Sequence, residues 1–417
     1  MLLSACVKNE NQPGTFLLSE GIHEDFGKVF NEHELMGMSV LLIYHGHQVW
    51  EGNFGLADHI RRIPVSGKTM YRVASISKMI AATAILQLWE AGRVDLDTDV
   101  SHYLGWLLQH PGYKGIPITL RQLMSHTSGI RDGDAYYRFS GNMILEKLGI
   151  EELFQPGGKY FDEGLFAGHE PGKYFAYANC TWGLVATIVE KVSGERFDDY
   201  CRKHILRPLG MRADFDVAAI DTMDDIAVLY RFVDGAWTPQ ADDYQGIHPA
   251  SRAFEGYRPG QNGLVYGPQG SLRSSARDLA RFMQMLMNDG SLEGQQIMKK
   301  ETANLMMEEQ WHFEGNNGDT GGGLFLSYGL AVHRTGQGST DAVFPDRTMV
   351  GHPGDAYGLL SGMYFDRKTR TGIIFITNGG RQLTTKGSNT SFFKVEEDAY
   401  ATAFSYVRKL ESRFPYP

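Results

Sequence analysis

The sequence predicts an α/β (α+β) fold. An antiparallel sheet made from N- and C-terminal segments is flanked by helices, and a mostly helical domain is inserted between its two halves. Three observations support this prediction. Runs rich in β-forming residues lie near both ends, helical apolar periodicity dominates the middle, and no internal repeat or low-complexity segment appears. The 417 residues, of which 42% are hydrophobic, are enough for one large domain or two interleaved ones.

The N-terminal segment predicts a helix and a hairpin. Residues 16–36 have an amphipathic pattern, and its apolar side carries Phe16, Ile22, Phe26, Val29 and Phe30. Residues 38–44 and 48–54 are rich in β-formers. They are separated by His45-Gly46-His47, which predicts a turn between two paired strands.

Residues 71–92, YRVASISKMIAATAILQLWEAG, predict a turn followed by a helix that Gly92 stops. Ser75 lies at the helix N-terminus, where the dipole is positive, and Lys78 follows one turn later on the same face. An amine among apolar residues has its charged form disfavoured, so the pair suits a serine nucleophile with a lysine base. The alternative is that Ser75 caps the helix and Lys78 is solvated, because Ser-x-x-Lys recurs at Ser391 and Lys394.

The middle of the chain predicts helices joined by polar turns. The predicted helices are a short one that follows the loop at 92–104, residues 118–124 with Thr119 as cap, residues 177–191, and a segment that begins at Ser274 or Ser275 and ends at 287. Asp234-Gly235 predicts the turn of a small hairpin. Residues 131–173 and 214–266 are rich in aromatics. We expect both segments to rim a cleft, and the first to form a lid rather than core.

The C-terminal part predicts strands and a long helix. The candidates are strands at 328–333, 347–351, 359–365 and 372–378, and a helix at 394–410. The chain therefore divides into a flexible tail (1–15), a single folded unit (16–410) and a short tail (411–417). Within the unit, residues 16–90 and 325–410 form the α/β part, and residues 91–324 form the mostly helical part with lid insertions.

Composition excludes several classes of function. The net charge of −9 and the lack of long like-charge runs argue against a nucleic-acid surface and a basic membrane patch. No apolar run approaches the length of a transmembrane span. Cys6, Cys180 and Cys201 follow no metal-ligand spacing, and a Cys180–Cys201 bond stays open. We therefore expect no metal, cofactor, nucleic acid or membrane span.

The first residues suggest a compartment. Leu3-Ser4-Ala5-Cys6 resembles the lipobox at which bacterial lipoproteins are cut and acylated on cysteine, and polar residues 7–12 follow as a tether would. Only five residues precede Cys6, so the basic and apolar parts of a signal peptide are missing. The expectation is a periplasmic or cell-envelope protein with a lipid anchor at Cys6.

Two further motifs accompany Ser75 and Lys78. Tyr177-Ala178-Asn179 lies at the start of a predicted helix, and His352-Pro353-Gly354 lies at the edge of a predicted strand. Tyr-x-Asn occurs once in the chain. His-x-Gly also occurs at 110–112, but that copy lies between the other motifs and precedes no predicted strand. Three motifs in a fixed order are a far more specific signal than any one of them.

The order Ser-x-x-Lys, Tyr-x-Asn, His-x-Gly resembles that of the penicillin-recognising serine hydrolases, the β-lactamase-like superfamily. The resemblance is to the branch of class C β-lactamases, D-alanyl-D-alanine carboxypeptidases, D-aminopeptidases and related carboxylesterases, and it covers residues 20–410. The segments LRQLMSHTSGI and GSLRSSARDLARFMQML also resemble family landmarks. The resemblance implies an α/β sandwich with an all-helical domain and the site between them.

The resemblance also implies roles for individual residues. Ser75 would attack a carbonyl and form an acyl-enzyme, and Lys78 would take the serine proton. Tyr177, partly ionised by Lys78, would relay a proton to the leaving group and activate water. The assignment of the base in each step to Lys78 or Tyr177 stays open. The substrate would be a small molecule or peptide with a carbonyl centre.

Four more residues would bind the substrate. Asn179 would hydrogen-bond its amide or ester flank and hold Lys78, and the backbone N–H groups of Ser75 and Asp355 would form the oxyanion hole. Gly354 would let that backbone approach, and His352 would contact the substrate.

The sequence departs from class C β-lactamases at one of these positions. His352 stands where those enzymes carry lysine, and a mostly neutral imidazole binds a β-lactam carboxylate less well. We therefore expect a D-amino-acid peptidase, carboxypeptidase or carboxylesterase. The alternatives are a β-lactamase of class C type and a non-catalytic binding or sensing protein with this fold.

Overall fold

A computed structural model describes residues 21–415, so Cys6, its lipobox and Phe16 lie outside the described residues. Within that range the chain forms eleven α-helices. They are α1 Gly21–Glu32, α2 Ser77–Glu90, α3 Ser101–Leu104, α4 Leu120–Met124, α5 Asp134–Asn142, α6 Glu151–Phe154, α7 Thr181–Ser193, α8 Phe197–Cys201, α9 Ala276–Met287, α10 Lys300–Met307 and α11 Lys394–Arg413.

The same part of the chain forms fifteen strands, many of them only two residues long. They are β1 Gly37–Tyr44, β2 His47–Asp58, β3 Ile63–Pro64, β4 Tyr71–Arg72, β5 Leu229–Val233, β6 Ala236–Ala241, β7 Arg273–Ser274, β8 Ser291–Leu292, β9 Gln295–Gln296, β10 Trp311–His312, β11 Ser327–Tyr328, β12 His333–Arg334, β13 Val350–Ala356, β14 Leu359–Asp366 and β15 Thr371–Thr377.

One nine-stranded antiparallel sheet organises the molecule, in the order β10-β11-β12-β13-β14-β15-β1-β2-β3. Its centre joins the two ends of the chain, because β1 lies between β2 and β15, with Met38 opposite Thr377. The residues between β3 and β10 supply most of the helices. The predicted fold class, a sheet from both terminal segments with a mostly helical insertion, is confirmed.

Both faces of the sheet are covered at β1, because apolar residues at successive positions of this strand point to opposite faces. Val40 and Leu42 pack on one face in a core shared with α1 and α11. Leu41 and Ile43 point the other way, into the larger core that also contains α2, α7 and α9. Side chains alternate between faces along a strand, so one strand serves both cores. The second core continues into the helical part and holds the two parts together.

Several predicted elements are confirmed with small changes in their bounds. Thr119 caps α4 in a capping box with Gln122, and Ser275 caps α9 by accepting from the backbone of Asp278. The first predicted helix ends earlier than residue 36. Glu34 adopts a left-handed φ, and the N–H of Leu35 bonds back to the carbonyl of Phe30.

Two predictions about the backbone are wrong. Residues 328–333 do not form one strand, because the chain folds back so that Tyr328 pairs with His333, with Ala331 at a positive φ. Residues 131–173 are not only a rim. Their side chains Phe139, Phe154 and Leu165 are at most 1% exposed and belong to the main core. Aromatic residues without helical periodicity can still be core when short helices and turns orient them.

Two further findings concern the described residues. None of the helices within residues 21–415 combines the length and the apolar character that a membrane crossing requires. Cys180 and Cys201 are both buried and are not bonded to each other.

Candidate active site

Ser75 lies in a short 3₁₀ turn, Ala74–Ile76, immediately before α2. Ala74 has a φ of 47°, a left-handed conformation that costs energy for a residue with a Cβ. The hydroxyl of Ser77 holds the turn, donating to the carbonyl of Ala74 at 2.6 Å and accepting from the N–H of Leu272 at 3.0 Å. No side chain caps the turn or α2, so Ser75 is not used as a helix cap.

Lys78 is fully buried and donates three hydrogen bonds. Its Nζ lies 2.9 Å from Ser75 Oγ, 2.8 Å from Asn179 Oδ1 and 2.7 Å from the backbone carbonyl of Gln269. Burial lowers the pKa of Lys78 to about 7, against the opposing charge of Asp132. A large share of the amine is therefore neutral at physiological pH and can accept a proton.

Tyr177 closes the group on the other side of Ser75. The Nζ of Lys78 lies 5.0 Å from the centroid of its ring, and Phe325 stacks on that ring with centroids 5.2 Å apart. Burial raises the pKa of Tyr177, and its hydrogen bond with Ser75 lowers it less. The phenol is therefore protonated near neutral pH, which disagrees with the partial ionisation expected from the sequence.

His126 packs against Tyr177 without taking part in the group of polar atoms around Ser75. Its ring centroid is 4.3 Å from that of Tyr177, and its Nδ1 accepts from the backbone N–H of Ala178 at 3.1 Å. Burial lowers the pKa of His126 well below its usual value, and the positive charge of Lys78 lowers it further. The ring is neutral and fixes the segment that carries Tyr177 and Asn179.

Asn179 is oriented by Asp132, a residue that the sequence motifs do not include. Asp132 Oδ2 accepts from the side-chain amide of Asn179 at 2.8 Å, and Oδ1 accepts from the backbone N–H groups of Asn179 and Cys180. These bonds leave Asn179 Oδ1 directed at Lys78. Asp132 therefore fixes which end of the amide meets the lysine.

Gly354 lies where β13 meets the turn that carries Ser75. A Cβ at this position would be 2.3 Å from Ser361 Oγ and 2.8 Å from the carbonyl of Val73. Ser361 itself donates to that carbonyl at 3.1 Å, so the strand and the turn are already in contact. Ser75, Gly354 and Asp355 line one cavity, as the predicted oxyanion hole requires.

The structure does not bring His352 into the cleft. Its side chain is fully buried, with Nε2 in a hydrogen bond of 2.7 Å to the hydroxyl of Tyr328. Burial lowers the pKa of His352 well below its usual value, and the charge of Lys78 adds to this effect. The imidazole is neutral and lies behind the strand edge, a position that offers no direct contact with a substrate.

Two cavities meet at Ser75, Asn179 and Asp355. The first, of about 300 Å³, also contains Tyr177, Phe325, Gly354, Lys386 and Glu396, and is called the tyrosine arm below. The second, of about 400 Å³, also contains Arg72, Arg231, Arg252, Tyr136 and Ser271, and is called the arginine arm. A substrate that spans Ser75 can place one part in each arm.

The sequence motifs identify the polar residues that meet at Ser75. They do not identify the residues from other loops that contact those polar residues. Asp132, the carbonyl of Gln269 and Phe325 all contact Lys78, Asn179 or Tyr177, yet each comes from a different loop. No spacing rule links Asp132 to Asn179. The sequence offers only a weak signal, two aspartates (Asp132 and Asp134) just after the SHTSGI turn, in a segment expected to rim the cleft.

Comparison with known protein families gives a match over most of the chain. The family model described as Beta-lactamase matches residues 18–389. Among curated proteins, the chain is 28% identical over 186 residues to Penicillin-binding protein 4* of Bacillus subtilis (strain 168), which covers 45% of this chain and 39% of that protein. The chain spans less than two thirds of the length of the first curated relatives that it matches.

Solved structures resemble the whole fold. The octameric penicillin-binding protein homologue from Pyrococcus abyssi has a TM-score of 0.69 at 24% identity, covering 94% of this chain and 77% of that one. The D-amino acid amidase from Ochrobactrum anthropi SV3, complexed with L-phenylalanine amide, has a TM-score of 0.65 at 21% identity, covering 94% of this chain and 100% of that one. At these identities the likeness is one of fold.

Proposed function

Because this chain belongs to the beta-lactamase family, we propose that it is a serine hydrolase that cleaves an amide or ester through an acyl-enzyme on Ser75. One observation carries the proposal. The Nζ of Lys78 lies 2.9 Å from the hydroxyl of Ser75, in a buried site that lowers the pKa of the lysine to about 7. A nucleophile within hydrogen-bond reach of a base of matched pKa is the arrangement that acyl transfer needs.

In the proposed acylation step, Ser75 Oγ forms a bond to the substrate carbonyl carbon and its proton passes to neutral Lys78. The carbonyl oxygen becomes an oxyanion that the backbone N–H groups of Ser75 and Asp355 stabilise. The loss of one such donor typically costs about 3–4 kcal/mol of transition-state stabilisation. Asn179 holds the lysine in place, and its amide N–H₂ is directed by Asp132.

In the proposed collapse of the intermediate, the bond to the leaving group breaks and that group takes a proton. Tyr177 supplies it, because its phenol lines the same cavity as Ser75 and its raised pKa keeps it protonated. Lys78, now carrying the serine proton, returns it to the Tyr177 phenolate, so both groups regain the protonation state that they had before acylation. Deacylation uses the same groups in reverse, with water in place of the leaving group.

Within this class we favour a D-amino-acid peptidase, a carboxypeptidase or a carboxylesterase. Class C β-lactamases use a lysine at the position of His352, and here burial lowers the pKa of that histidine well below its usual value. The strand therefore offers no side-chain cation for a β-lactam carboxylate at this point. One solved structure of the same fold is a D-amino acid amidase. A β-lactamase of class C type is the second candidate.

A fluorophosphonate probe separates the enzyme from a non-catalytic binding or sensing protein. We expect one covalent adduct on Ser75, lost in Ser75→Ala and retained in Ser391→Ala, which alters the second Ser-x-x-Lys motif. An unlabelled wild-type protein would favour the non-catalytic alternative. A panel of D-aminoacyl amides, short-chain aryl esters and anionic β-lactams then names the activity, and a preference for the β-lactams would reverse our choice.

A further inference from the structure

The arginine arm carries an excess of positive charge. Its charged side chains are Arg72, Arg231, Arg252 and Asp355. Burial raises the pKa of Asp355 and the charge of Arg231 acts against that rise, so these two groups compensate each other. Arg72 and Arg252 remain, and both are half-buried.

Arg72 and Arg252 donate only to neutral acceptors among residues 21–415. Arg72 donates to the carbonyl of Gly270 at 3.2 Å and to Ser271 Oγ at 2.9 Å, and Arg252 donates to the same hydroxyl at 3.2 Å. Neither forms an ion pair within that range. The neighbouring Arg273 differs, because it forms two hydrogen bonds with Asp242, at 2.5 and 3.1 Å.

The two guanidinium groups therefore carry their charge in a partly buried site, where burial disfavours the charged form. Burial lowers the pKa of Arg72, and the charge of Arg273 adds to this effect. Burial also lowers the pKa of Arg252 to about 10, again with a contribution from Arg273. A guanidinium group is not deprotonated in proteins, so both side chains remain charged at neutral pH. An anion between them would satisfy donors that lack a charged partner, and a carboxylate matches the fork of a guanidinium.

The arm lies on the acyl side of Ser75, given the function proposed above. Tyr177 protonates the leaving group in that mechanism and lines the other cavity, so the leaving group occupies the tyrosine arm. The acyl part of the substrate must then extend into the arginine arm, which also contains Ser75 and Asn179.

We propose that Arg72 and Arg252 bind a carboxylate carried by the acyl part of the substrate, so that the protein prefers acidic acyl groups. The inference rests on the proposed function and adds a substrate class to it. It also agrees with weak action on β-lactams, because their carboxylate lies on the leaving-group side of the scissile amide.

The test compares two esters that differ in one charge. The 4-nitrophenyl monoester of adipic acid has a free terminal carboxylate, and its terminal methyl ester is neutral and of similar length. We expect the wild-type protein to favour the carboxylate by about 10-fold or more in kcat/KM, the range for one charge-assisted hydrogen bond. The preference falls as salt is added.

Substitutions in the arginine arm test whether it causes the preference for the free-carboxylate ester. Arg72→Gln and Arg252→Gln should each reduce the preference for the carboxylate, measured as the ratio of the two kcat/KM values, by about 10-fold. Arg277→Gln is the control, since Arg277 is exposed, pairs with Glu51 and lies outside both cavities. Because a ratio of two substrates does not depend on the fraction of folded protein, a partly unfolded variant still reports it.

Binding to Ser75→Ala keeps the inference testable if the proposed function fails. Calorimetry should give a lower Kd for the free-carboxylate ester than for the methyl ester, and the difference should disappear in Ser75→Ala combined with Arg72→Gln. Equal Kd values in Ser75→Ala, equal kcat/KM values in the wild type, or a preference that survives in both arginine variants would each overturn the inference. Loss of hydrolysis with unequal Kd values would overturn only the proposed reaction.

Discussion

Asp132 accepts two hydrogen bonds from Asn179, one from its backbone N–H and one from its side-chain amide, at 2.8 Å each. The charge of Asp132 also acts on Lys78, whose pKa it raises against the effect of burial. One carboxylate, which does not touch Lys78 itself, thus controls both the orientation of a neighbour and the proton affinity of the amine.

Replacement of Asp132 by Asn should reduce kcat/KM by about 10- to 100-fold, because Asn179 loses the partner that directs its oxygen at Lys78. It should also move the acid limb of the pH profile to lower pH, since removing a negative charge lowers the pKa of the lysine. A merely structural role would lower the rate without that displacement. Asp162→Asn, an exposed turn residue of the same segment, is the control and should change neither quantity.

The value of kcat/KM should rise with pH, with a midpoint near pH 7. Only the neutral form of Lys78 can accept the serine proton, and burial lowers its pKa to about 7, so activity increases as pH increases. Tyr177 adds no limb in this range because its pKa is raised and it stays protonated. Initial rates between pH 5 and 9 at low substrate measure the curve. A midpoint below about pH 5 would point to a carboxylate base instead.

Stability should also depend on the charge of Lys78. The folded pKa of about 7 lies below the unfolded value of 10.5, so between those values the unfolded chain binds more protons and stability rises with pH. The slope approaches about 1.4 kcal/mol per pH unit above 7. Urea unfolding at pH 7 and 9 should reveal this gain in the wild type. Lys78→Met should lack it, and an equal slope in both proteins would contradict the pKa shift.

Addition of one methyl group at Gly354 should disable the site. In Gly354→Ala the new Cβ would meet Ser361 Oγ at 2.3 Å and the carbonyl of Val73 at 2.8 Å, which forces β13 away from the turn of Ser75. If this displaces one oxyanion donor, kcat should fall by about 100- to 1,000-fold. Gly141→Ala is the matched control, because a Cβ there meets nothing within 4 Å. Normal activity in Gly354→Ala would show that the close approach is dispensable.

The buried pair of Tyr328 and His352 should affect stability rather than substrate binding. Tyr328→Phe leaves His352 Nε2 without its partner at 2.7 Å, which should lower the free energy of unfolding by about 1–3 kcal/mol. KM should stay unchanged because neither side chain lines the two arms. Chemical denaturation and steady-state kinetics give the two values. A raised KM with unchanged stability would restore His352 to the substrate contacts expected from the sequence.

Local patterns predicted the elements that local chemistry determines. The strands around β1 and β15 follow from runs of β-formers, and the caps at Thr119 and Ser275 follow from side chains that bond within one turn. The predicted strand at 328–333 is wrong because Ala331 takes a left-handed φ, which its sequence neighbours do not signal. That bend depends on tertiary contacts, such as the bond from its N–H to the carbonyl of Met124.

The contacts of the candidate site divide in the same way, into local contacts that the sequence predicts and tertiary contacts that local patterns do not predict. The spacing of Ser75 and Lys78 places them on one helical turn, so their contact could be predicted without the fold. The contacts of Lys78 with Asn179 and with the carbonyl of Gln269 span 101 and 191 residues of sequence. A resemblance in motif order suggested the first of these. Nothing suggested the second, because a backbone carbonyl has no signature in the sequence.

The position of β1 has a consequence for synthesis of the chain. Met38 pairs with Thr377, so a ribosome must deliver the chain as far as β15 before β1 acquires its second neighbour. Until then Val40, Leu41 and Leu42 lack the cores that cover them in the native state. Long-range pairing of this kind folds slowly and leaves an open strand edge in the nascent chain. Within residues 21–415, β1 is thus the first strand to be made, yet its pairing is completed only when β15 appears, and a chaperone can shield its open edge until then.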